Sequence, residues 1–359
     1  MRLDELLLKG VDANASDLFL KVHTPPAMRI HGDVQPIDPN MAPLTTEDID
    51  RFISEMMRPE QIARFHEVCE ADMAYGLPGR CRFRVNVYKQ RGTVGAVFRV
   101  VPLEIPKLED LGMPAVVKRI AANRTGFVLV TGPTGSGKST TLASIVDLIN
   151  AHRRGHIVTI EDPIEFMHPD RRCIVSQREV AVDTHDFASA LRSVLRQAPD
   201  VILVGEMRDR ESIGVALQAA ETGHLVLSTL HTNSAAETVE RIVNLYPPHE
   251  KPQICLRLSQ VLKAVISQQL VPRKTGSGRV LACEIMVVNP TIAGHVEEGN
   301  IGNIYPIMKQ SEEQYGMQTM NMHLDRMVKA GTIDAREALA RAGNLAELKM
   351  MLRRTDEDE

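Results

Sequence analysis

The chain has 359 residues, of which 43% are hydrophobic and 25% are charged, and its formal net charge is −4. This length predicts two domains with ordinary globular cores, and the acidic balance together with the absence of Trp argues against a nucleic-acid-binding protein. The five cysteines are scattered without a Cys-x-x-Cys pair, which argues against a zinc cluster or a disulfide framework. Because no apolar run approaches membrane-spanning length, we expect a cytoplasmic protein.

Residues 1–101 are predicted to form an α+β domain. Its expected elements are a helix over 1–11, strands over 17–22, 27–31, 34–37 and 72–76, and helices from Thr45 or Thr46 and over 59–68. Two further runs of alternating apolar and polar residues, over 81–90 and 93–101, meet at Arg91 and Gly92 and predict a hairpin. Prolines at 102 and 106 then mark a linker over 102–112.

Residues 113–359 begin with strands that alternate with helices. The expected strands are 127–131, 156–160, 174–176, 200–205 and 225–229, and the expected helices are 114–122, 138–151, 185–197, 210–222 and 234–245. Such alternation predicts a mainly parallel sheet covered by helices. Residues 250–268 and 320–353 are predicted to be helical, so this domain is expected to end in a helical part that starts near residue 250.

The sequence Gly-Pro-Thr-Gly-Ser-Gly-Lys-Ser lies between the first of these strands and the helix that follows it. Strand, glycine-rich turn and helix in this order predict a P-loop, because glycines let backbone N–H groups surround a polyphosphate and the helix start adds its positive dipole end. Lys138 is expected to reach the β- and γ-phosphates of ATP, and Ser139 to hold Mg²⁺. The predicted nucleotide-binding residues are Gly132, Pro133, Thr134, Gly135, Ser136, Gly137, Lys138, Ser139 and Thr140.

Acidic residues follow two other predicted strands. Glu161, Asp162 and Glu165 come at the end of an apolar run, and Glu206 follows four consecutive aliphatic residues. Ligands bind at the carboxyl ends of the strands in open α/β sheets. These acids are therefore expected to order Mg²⁺ or to polarise a water molecule, and Glu206 has the position of a Walker B acid.

Histidines and arginines complete the set of polar candidates. His231, at the end of the next strand, is predicted to sense the γ-phosphate together with Thr232, whereas His224 fits a structural role equally well. Arginines cluster in the predicted N-terminal hairpin, and phosphoryl transfer gains from a guanidinium that stabilises developing charge. The arginines of this cluster are Arg82, Arg84, Arg91 and Arg99.

The four segments 132–139, 157–165, 199–209 and 222–233 resemble, in this order, the Walker A, Asp-box, Walker B and His-box motifs of the secretion/pilus ATPase superfamily. Shorter segments are similar to the PilT family, the type IV pilus retraction (twitching motility) ATPases, and the resemblance to that family extends over nearly the whole chain. They are residues 15–18, the pair 25–26, and residues 81–86, 92–99 and 316–320.

The resemblance implies a PAS-like N-terminal domain followed by a RecA-like P-loop ATPase core. It implies a homohexamer that binds ATP and Mg²⁺, docks at the inner-membrane pilus machine and acts on the membrane platform protein. Arg84, Arg91 and Arg99 are then expected to face the nucleotide, and Glu206 to contact Mg²⁺ through water. Glu161, Asp162 and Glu165 match the Asp box, and the general base stays open among Glu161, Glu165 and Glu206.

One stretch departs from the family pattern. Retraction ATPases of this family carry an Ala-Ile-Arg-Asn-Leu-Ile-Arg-Glu-type helix, whereas residues 291–299 here lack the arginines and contain Gly294. This leaves open an accessory PilU-type paralogue that works beside a second retraction ATPase, or a nucleotide-sensing subunit without hydrolysis. A pilus-assembly or type II secretion ATPase is a further alternative, although the four-cysteine insertion usual in those proteins is missing, and the acidic charge argues against a DNA-handling ring ATPase.

Overall fold

The computed structural model describes residues 2–30, 32–77, 79–101, 104–276 and 278–356. Several parts of the predicted elements lie outside these ranges, namely Met1, His31, the linker residues Pro102 and Leu103, and the last three residues of the second predicted domain. The chain divides into two compact units, Met1–Glu104 with Glu165–Met167 and Ile105–Ile164 with His168–Glu359. No helix in the described ranges has both the length and the apolar character that a bilayer crossing requires.

The first unit consists of an antiparallel six-stranded sheet and three helices. The strands are β1 (Asp17–Lys21), β2 (Ala27–Ile30), β3 (Asp33–Pro36), β4 (Glu70–Leu77), β5 (Cys81–Gln90) and β6 (Thr93–Val101). The helices are α1 (Leu3–Asp12), α2 (Thr46–Met56) and α3 (Pro59–Val68). The strand order is β3-β2-β1-β6-β5-β4, so β3 and β4 form the two edges, and the first and last strands of the unit, β1 and β6, pair in the middle.

Alternation along β5 explains why one face of this sheet is buried. Phe83, Val85 and Val87 are fully buried in the apolar core, and the residues between them point to the other face. The predicted hairpin is confirmed: β5 and β6 are joined at Arg91 (φ 45°) and Gly92 (φ 78°). Two positive φ values in a two-residue loop match the right-handed twist of the flanking strands.

The second unit is built on a seven-stranded sheet. Its strands are β7 (Gly126–Thr131), β8 (Gly155–Glu161), β9 (Cys173–Glu179), β10 (Val201–Val204), β11 (Leu225–Leu230), β12 (Leu262–Pro272) and β13 (Arg279–Val287). Its helices are α4 (Val116–Ala121), α5 (Lys138–His152), α6 (Phe187–Val194), α7 (Arg210–Glu221), α8 (Ala235–Asn244), α9 (Lys251–Val261), α10 (Pro290–Glu297), α11 (Ile304–Gln310), α12 (Glu312–Tyr315), α13 (Met320–Lys329), α14 (Ala335–Ala340) and α15 (Leu345–Asp356). The strand order is β13-β12-β7-β11-β10-β8-β9, and β13 is antiparallel to β12, whereas the other neighbours are parallel.

Helices cover both faces of this sheet, as the alternation of elements predicts. Along β7, Phe127 and Leu129 belong to the core on one face, while Val128 and Val130 belong to the core on the other. Strands of parallel sheets are buried on both faces and therefore consist of continuous apolar runs. The structure is thus a mixed α/β fold in which a β-rich N-terminal unit precedes a mainly parallel P-loop core.

The prediction of a helix through residues 250–268, and of a helical part from residue 250 onward, is wrong from Leu262 to Val287. Helix α9 ends at Val261, and the chain continues as β12, which pairs with β7 in the middle of the sheet, and as β13 at its edge. A short apolar run does not distinguish a buried strand from a buried helix. The choice depends on pairing with a strand more than 130 residues earlier, which local periodicity does not report.

The stretch that departs from the family pattern forms α10, with Gly294 in its interior. Asn289 caps the helix by accepting a hydrogen bond from the backbone N–H of Ile292 at 2.8 Å. A Cβ atom at Gly294 would meet nothing within 4 Å, so packing does not require a glycine there. Relative to Ala, this glycine lowers the stability of the helix by about 1 kcal/mol.

Candidate functional site

The loop between β7 and α5 has the backbone that a phosphate cradle needs. Gly132, Gly135 and Gly137 have φ values of 140°, 76° and 89°, which side chains with a Cβ rarely adopt. Helix α5 starts directly after Gly137, at Lys138, so its free N–H groups point to the same place as those of the loop. This arrangement favours an anion.

Gln268, on β12, holds the loop through a side-chain hydrogen bond. Its side chain is buried, and its Nε2 donates a hydrogen bond to the carbonyl oxygen of Ser136 at 2.8 Å. Next to it, Thr131 and Ser267 share a buried hydroxyl hydrogen bond of 2.7 Å. Strand β12 therefore holds the shape of the loop.

We expect Gly132→Ala to weaken ATP binding at least about tenfold, because an added Cβ would overlap the Gln268 carbonyl oxygen and the φ of 140° disfavours any Cβ. The measurement is a fluorescent-nucleotide titration. Gly135→Ala is the matched control, since its φ is also positive but its Cβ would meet nothing within 4 Å. Equal losses in the two variants would contradict the role of the Gln268 contact.

Lys138 lies folded against the loop. Its Nζ donates hydrogen bonds to the carbonyl oxygens of Gly132 at 2.9 Å and Pro133 at 3.1 Å, and it lies 3.5 Å from Nδ1 of His231. The side chain is 9% exposed, so the ammonium group is largely withdrawn from solvent. It therefore concentrates positive charge where the loop would hold phosphate.

His231 connects Lys138 to an acid on the neighbouring strand. Its Nε2 lies 3.0 Å from Oε1 of Glu206, whose other oxygen accepts a hydrogen bond from Arg208 Nη2 at 2.7 Å. A neutral imidazole with its proton on Nε2 satisfies both contacts, because Nδ1 then accepts from Lys138. The Arg208 hydrogen bond and charge, together with His231, lower the pKa of Glu206, so its carboxylate is ionised at neutral pH.

The strand order explains this connection. β11 lies between β7, which precedes the loop, and β10, which precedes Glu206. Because the three strands are parallel, their carboxyl ends meet at one edge of the sheet. His231 follows β11 and therefore lies between Lys138 and Glu206.

The acids after β8 have different surroundings. Glu161 accepts hydrogen bonds from Thr159 Oγ1 at 2.6 Å and from Gln177 Nε2 at 3.2 Å, and Asp162 is exposed. Glu165 is exposed and belongs to the first compact unit. β8 lies next to β10, so Glu161, its last residue, and Asp162, which follows it, lie at the end of the strand adjacent to that of Glu206.

Thr232 and His224 have structural contacts. Thr232 is buried, and its hydroxyl shares a 2.6 Å hydrogen bond with Thr238. The Nδ1 of His224 lies 2.9 Å from the carbonyl oxygen of Ala219 near the end of α7. Capping of a helix end accounts for His224.

Arg84 and Arg99 lie on the polar face of the first unit's sheet. In the register of the sheet, Arg84 of β5 lies opposite Arg99 of β6. Arg99 lies opposite Asp17 of β1 on its other side, and Asp17 lies opposite Arg29 of β2. Asp17 is buried and accepts a 2.9 Å hydrogen bond from Arg99 Nε, while Arg29 Nε lies 3.3 Å from its other oxygen. Arg91 is exposed at the hairpin turn.

The residues at the carboxyl ends of the parallel strands, beside the P-loop, fit a nucleotide with bound Mg²⁺. Ser139, Asp162 and Glu206 supply hydroxyl and carboxylate oxygens, the donors that Mg²⁺ prefers. The hydroxyl of Ser136 is buried in the loop without a hydrogen-bond partner, as expected of a donor that is completed by phosphate. The described residues contain no group of three or more His, Cys, Asp or Glu side chains able to hold a metal ion.

Two contributors to this site were not predicted from the sequence. Arg208 stands two residues after Glu206 in the same loop, and that proximity was a usable signal for a partner of the acid. Gln268 had no such signal, because its segment was predicted to be helical.

The chain is similar to known proteins over most of its length. Residues 80–340 match the family model described as "Type II/IV secretion system protein". A type IV pilus retraction ATPase, PilT, from Pseudomonas aeruginosa is 47% identical over 342 residues, which cover 95% of this chain and 98% of that protein. A type IV pilus ATPase, PilU, from the same organism is 40% identical and covers 100% of this chain and 93% of its own.

Solved structures give the same relationship. The crystal structure of the pilus retraction motor PilT with bound ADP has a TM-score of 0.90 at 40% identity and covers 98% of this chain and 99% of that one. The ATPase DotB of Legionella pneumophila has a TM-score of 0.80 at 29% identity, with 94% and 93% covered. The loop, the acids and these relatives together show that this chain belongs to the Type II/IV secretion family and, within it, to the PilT family of type IV pilus retraction ATPases.

Proposed function

We propose that the chain is an ATP-hydrolysing motor that acts as a homohexamer and powers retraction of a type IV pilus. The observation that carries this proposal is the continuous contact from Lys138 through His231 to Glu206, which links the phosphate loop to an ionised acid on a neighbouring strand. The similarity to a retraction ATPase over nearly the whole chain supports the direction of force. The similarity to an ADP-bound retraction motor supports the nucleotide.

In this proposal, residues 132–140 bind the phosphates of ATP through backbone N–H groups, and Lys138 contributes its charge. Ser139 and Asp162 would hold Mg²⁺, with Glu206 contacting it through water. The ion would neutralise charge on the phosphate oxygens during transfer. The hydrogen bonds from Gln268 and Lys138 to the loop keep its donors in position before substrate arrives.

Glu206 is proposed to orient the attacking water. Its carboxylate is fixed at both oxygens, by His231 and by Arg208, so it has a defined direction. His231 contacts both Lys138 and Glu206, and it is therefore placed to report whether a γ-phosphate lies between them. Glu161 and Glu165 stay as alternative bases from the Asp box.

The first unit is proposed to be a PAS-like domain, joined through the linker over residues 102–112 to the ATPase domain of residues 113–359. It would supply arginines to the nucleotide in the assembled ring. Arg84, Arg91 and Arg99 are the proposed contributors, since an arginine stabilises the charge that develops on the transferred phosphoryl group. Asp17 fixes the direction of Arg99, which limits the conformational freedom lost on nucleotide binding. The proposed partners are further copies of this chain, the platform protein at the inner membrane and a paralogous retraction ATPase.

Deleting the gene is expected to leave cells that make pili but do not retract them. The measurement is live imaging of fluorescently labelled pili, with complementation by the wild-type chain as the control. Cells without pili would instead indicate an assembly ATPase and would contradict the proposal.

A second candidate function is that of an accessory subunit beside another retraction ATPase. The observation that favours it is α10, where Gly294 lies inside the helix and the arginines of the family pattern are missing. Retraction that persists after deletion and stops only when a paralogous ATPase is also removed would favour the accessory role. Phosphate release by the purified chain would exclude a subunit that only senses nucleotide.

A further inference from the structure

We propose that the second unit contains another anion site, a pocket for a phosphate-bearing ligand with an adjoining apolar group. The pocket has a volume of about 530 Å³, within the range of small-molecule sites. It lies where α4 and α5 end and where β7 and β8 begin. The basic side chains around it are Lys118, Arg124, His152, Arg153 and Arg154.

This pocket is separate from the P-loop. β7 begins at Gly126, beside the pocket, and reaches the P-loop only after Thr131. Helix α5 has 15 residues and begins at the P-loop, so its far end is about 22 Å away along the helix axis. A ligand of the pocket therefore does not touch the nucleotide site, although both contact the same helix.

Three of the five basic side chains have local structural roles. His152 Nδ1 lies 2.9 Å from the carbonyl oxygen of Leu148, as expected of a basic residue at a helix C-terminus. Arg153 Nη2 donates hydrogen bonds to the carbonyl oxygens of Ala122 and Asn123. Lys118 forms an ion pair with Glu109. These contacts also occupy carbonyl oxygens that would otherwise repel an anion.

The other two basic side chains have no such roles. Arg124 and Arg154 are exposed and form no hydrogen bond or ion pair through their side chains with any residue in the described part of the chain, and no described acid lines the pocket. Burial lowers the pKa of Arg153 and the nearby charge of Arg124 lowers it further, while Asp200 acts in the opposite direction. Asp200 is itself engaged by the backbone N–H of His156 at 2.8 Å. An anion between the guanidinium groups of Arg124 and Arg153 would reduce the repulsion between them, because a negative charge near two positive charges attracts both.

The rest of the lining determines the kind of anion. Ala121, Leu148 and Ile149 supply apolar surface between the basic groups. Guanidinium groups bind phosphate oxygens in a bidentate manner. A phosphate that carries an organic group would satisfy the arginines and cover the apolar surface, so it should bind more tightly than inorganic phosphate.

The test uses the full chain with its P-loop saturated with ADP and Mg²⁺, and phenyl phosphate as the probe. Ligand-observed NMR measures its dissociation constant. We expect Arg124→Gln combined with Arg154→Gln to raise that constant at least about tenfold, because two charge-assisted contacts are lost. The control pair, Arg241→Gln with Arg336→Gln, removes the same charge from exposed sites elsewhere and should leave it unchanged. Retained ADP binding shows that each variant is folded.

The outcomes separate the proposal from its alternatives. Loss of the phenyl phosphate signal when the P-loop is filled would show that the probe had bound there, and equal affinity in wild type and the Arg124/Arg154 variant would show that the arginines do not form a site. Either result overturns the proposal. Vesicles of phosphatidylglycerol and phosphatidylcholine distinguish the source of the phosphate. Cosedimentation that needs both arginines supports a lipid headgroup, and phenyl phosphate binding without cosedimentation supports a soluble ligand.

Discussion

Glu206→Gln is expected to lower the rate of ATP hydrolysis by about 10²- to 10³-fold and to change nucleotide affinity by less than about threefold. The amide keeps the size of the side chain, and its oxygen can still accept from Arg208 or His231. It loses the negative charge that, in the proposed function, orients and polarises water and contacts Mg²⁺ through water. Steady-state phosphate release, together with a fluorescent-nucleotide titration, measures the two effects separately.

Glu211→Gln is the matched control for this change. Glu211 lies near Glu206 in the chain, in the first turn of α7, and is exposed in an ion pair with Arg192. Exposed pairs of this kind contribute about 0 to 1 kcal/mol, so the control should hydrolyse ATP normally. Glu206→Gln protein that retains more than a tenth of the wild-type rate would contradict the assignment and direct attention to Glu161 or Glu165.

Lys138→Ala is expected to reduce kcat/KM for ATP by about 100-fold or more, since the buried cation that is proposed to contact the phosphates is lost. The loss should also appear in binding, because Lys138 contributes charge to the ground state as well as to the transition state. In the free protein its Nζ contacts the carbonyl oxygens of Gly132 and Pro133, so the loop also loses internal hydrogen bonds. Phosphate release over a range of ATP concentrations measures both constants.

Lys274→Ala provides the comparison for Lys138→Ala. Lys274 is exposed, 4.0 Å from Asp334, and lies between β12 and β13. The Lys274→Ala protein should hydrolyse ATP at the wild-type rate. A Lys138→Ala protein that also did so would show that hydrolysis in the preparation does not come from this site.

Local sequence patterns predict much of the fold because most helices and strands have a periodicity or a turn signal within their own residues. The glycines of the P-loop need positive φ, and the loop's two flanks show strand and helix periodicity on either side. The hairpin of the first unit follows from alternation and from the turn at Arg91 and Gly92. What could not be predicted is the place of β12, because its apolar run suits a buried helix or a buried strand and only its pairing with β7 decides.

In the site, too, local sequence predicts part of the arrangement and long-range strand pairing decides the rest. The sequence places Lys138, Glu206 and His231 at the ends of predicted parallel strands and so at one edge of a sheet. It does not contain the order of those strands, and it is the position of β11 between β7 and β10 that puts His231 between the other two. The support from Gln268 and the pairing of Arg99 with Asp17 depend equally on long-range neighbours.

The position of β12 also constrains how the protein is made. β7 and the P-loop are synthesised early, but β12, which supports them, ends at Pro272. The ribosome adds about 5 to 20 residues per second, so β12 leaves the ribosome roughly 7 to 27 seconds after the P-loop does. During that interval β7 has an unpaired edge, which is a site of incorrect strand pairing. We therefore expect nascent chains that stop before residue 262 to need chaperones and to bind no nucleotide.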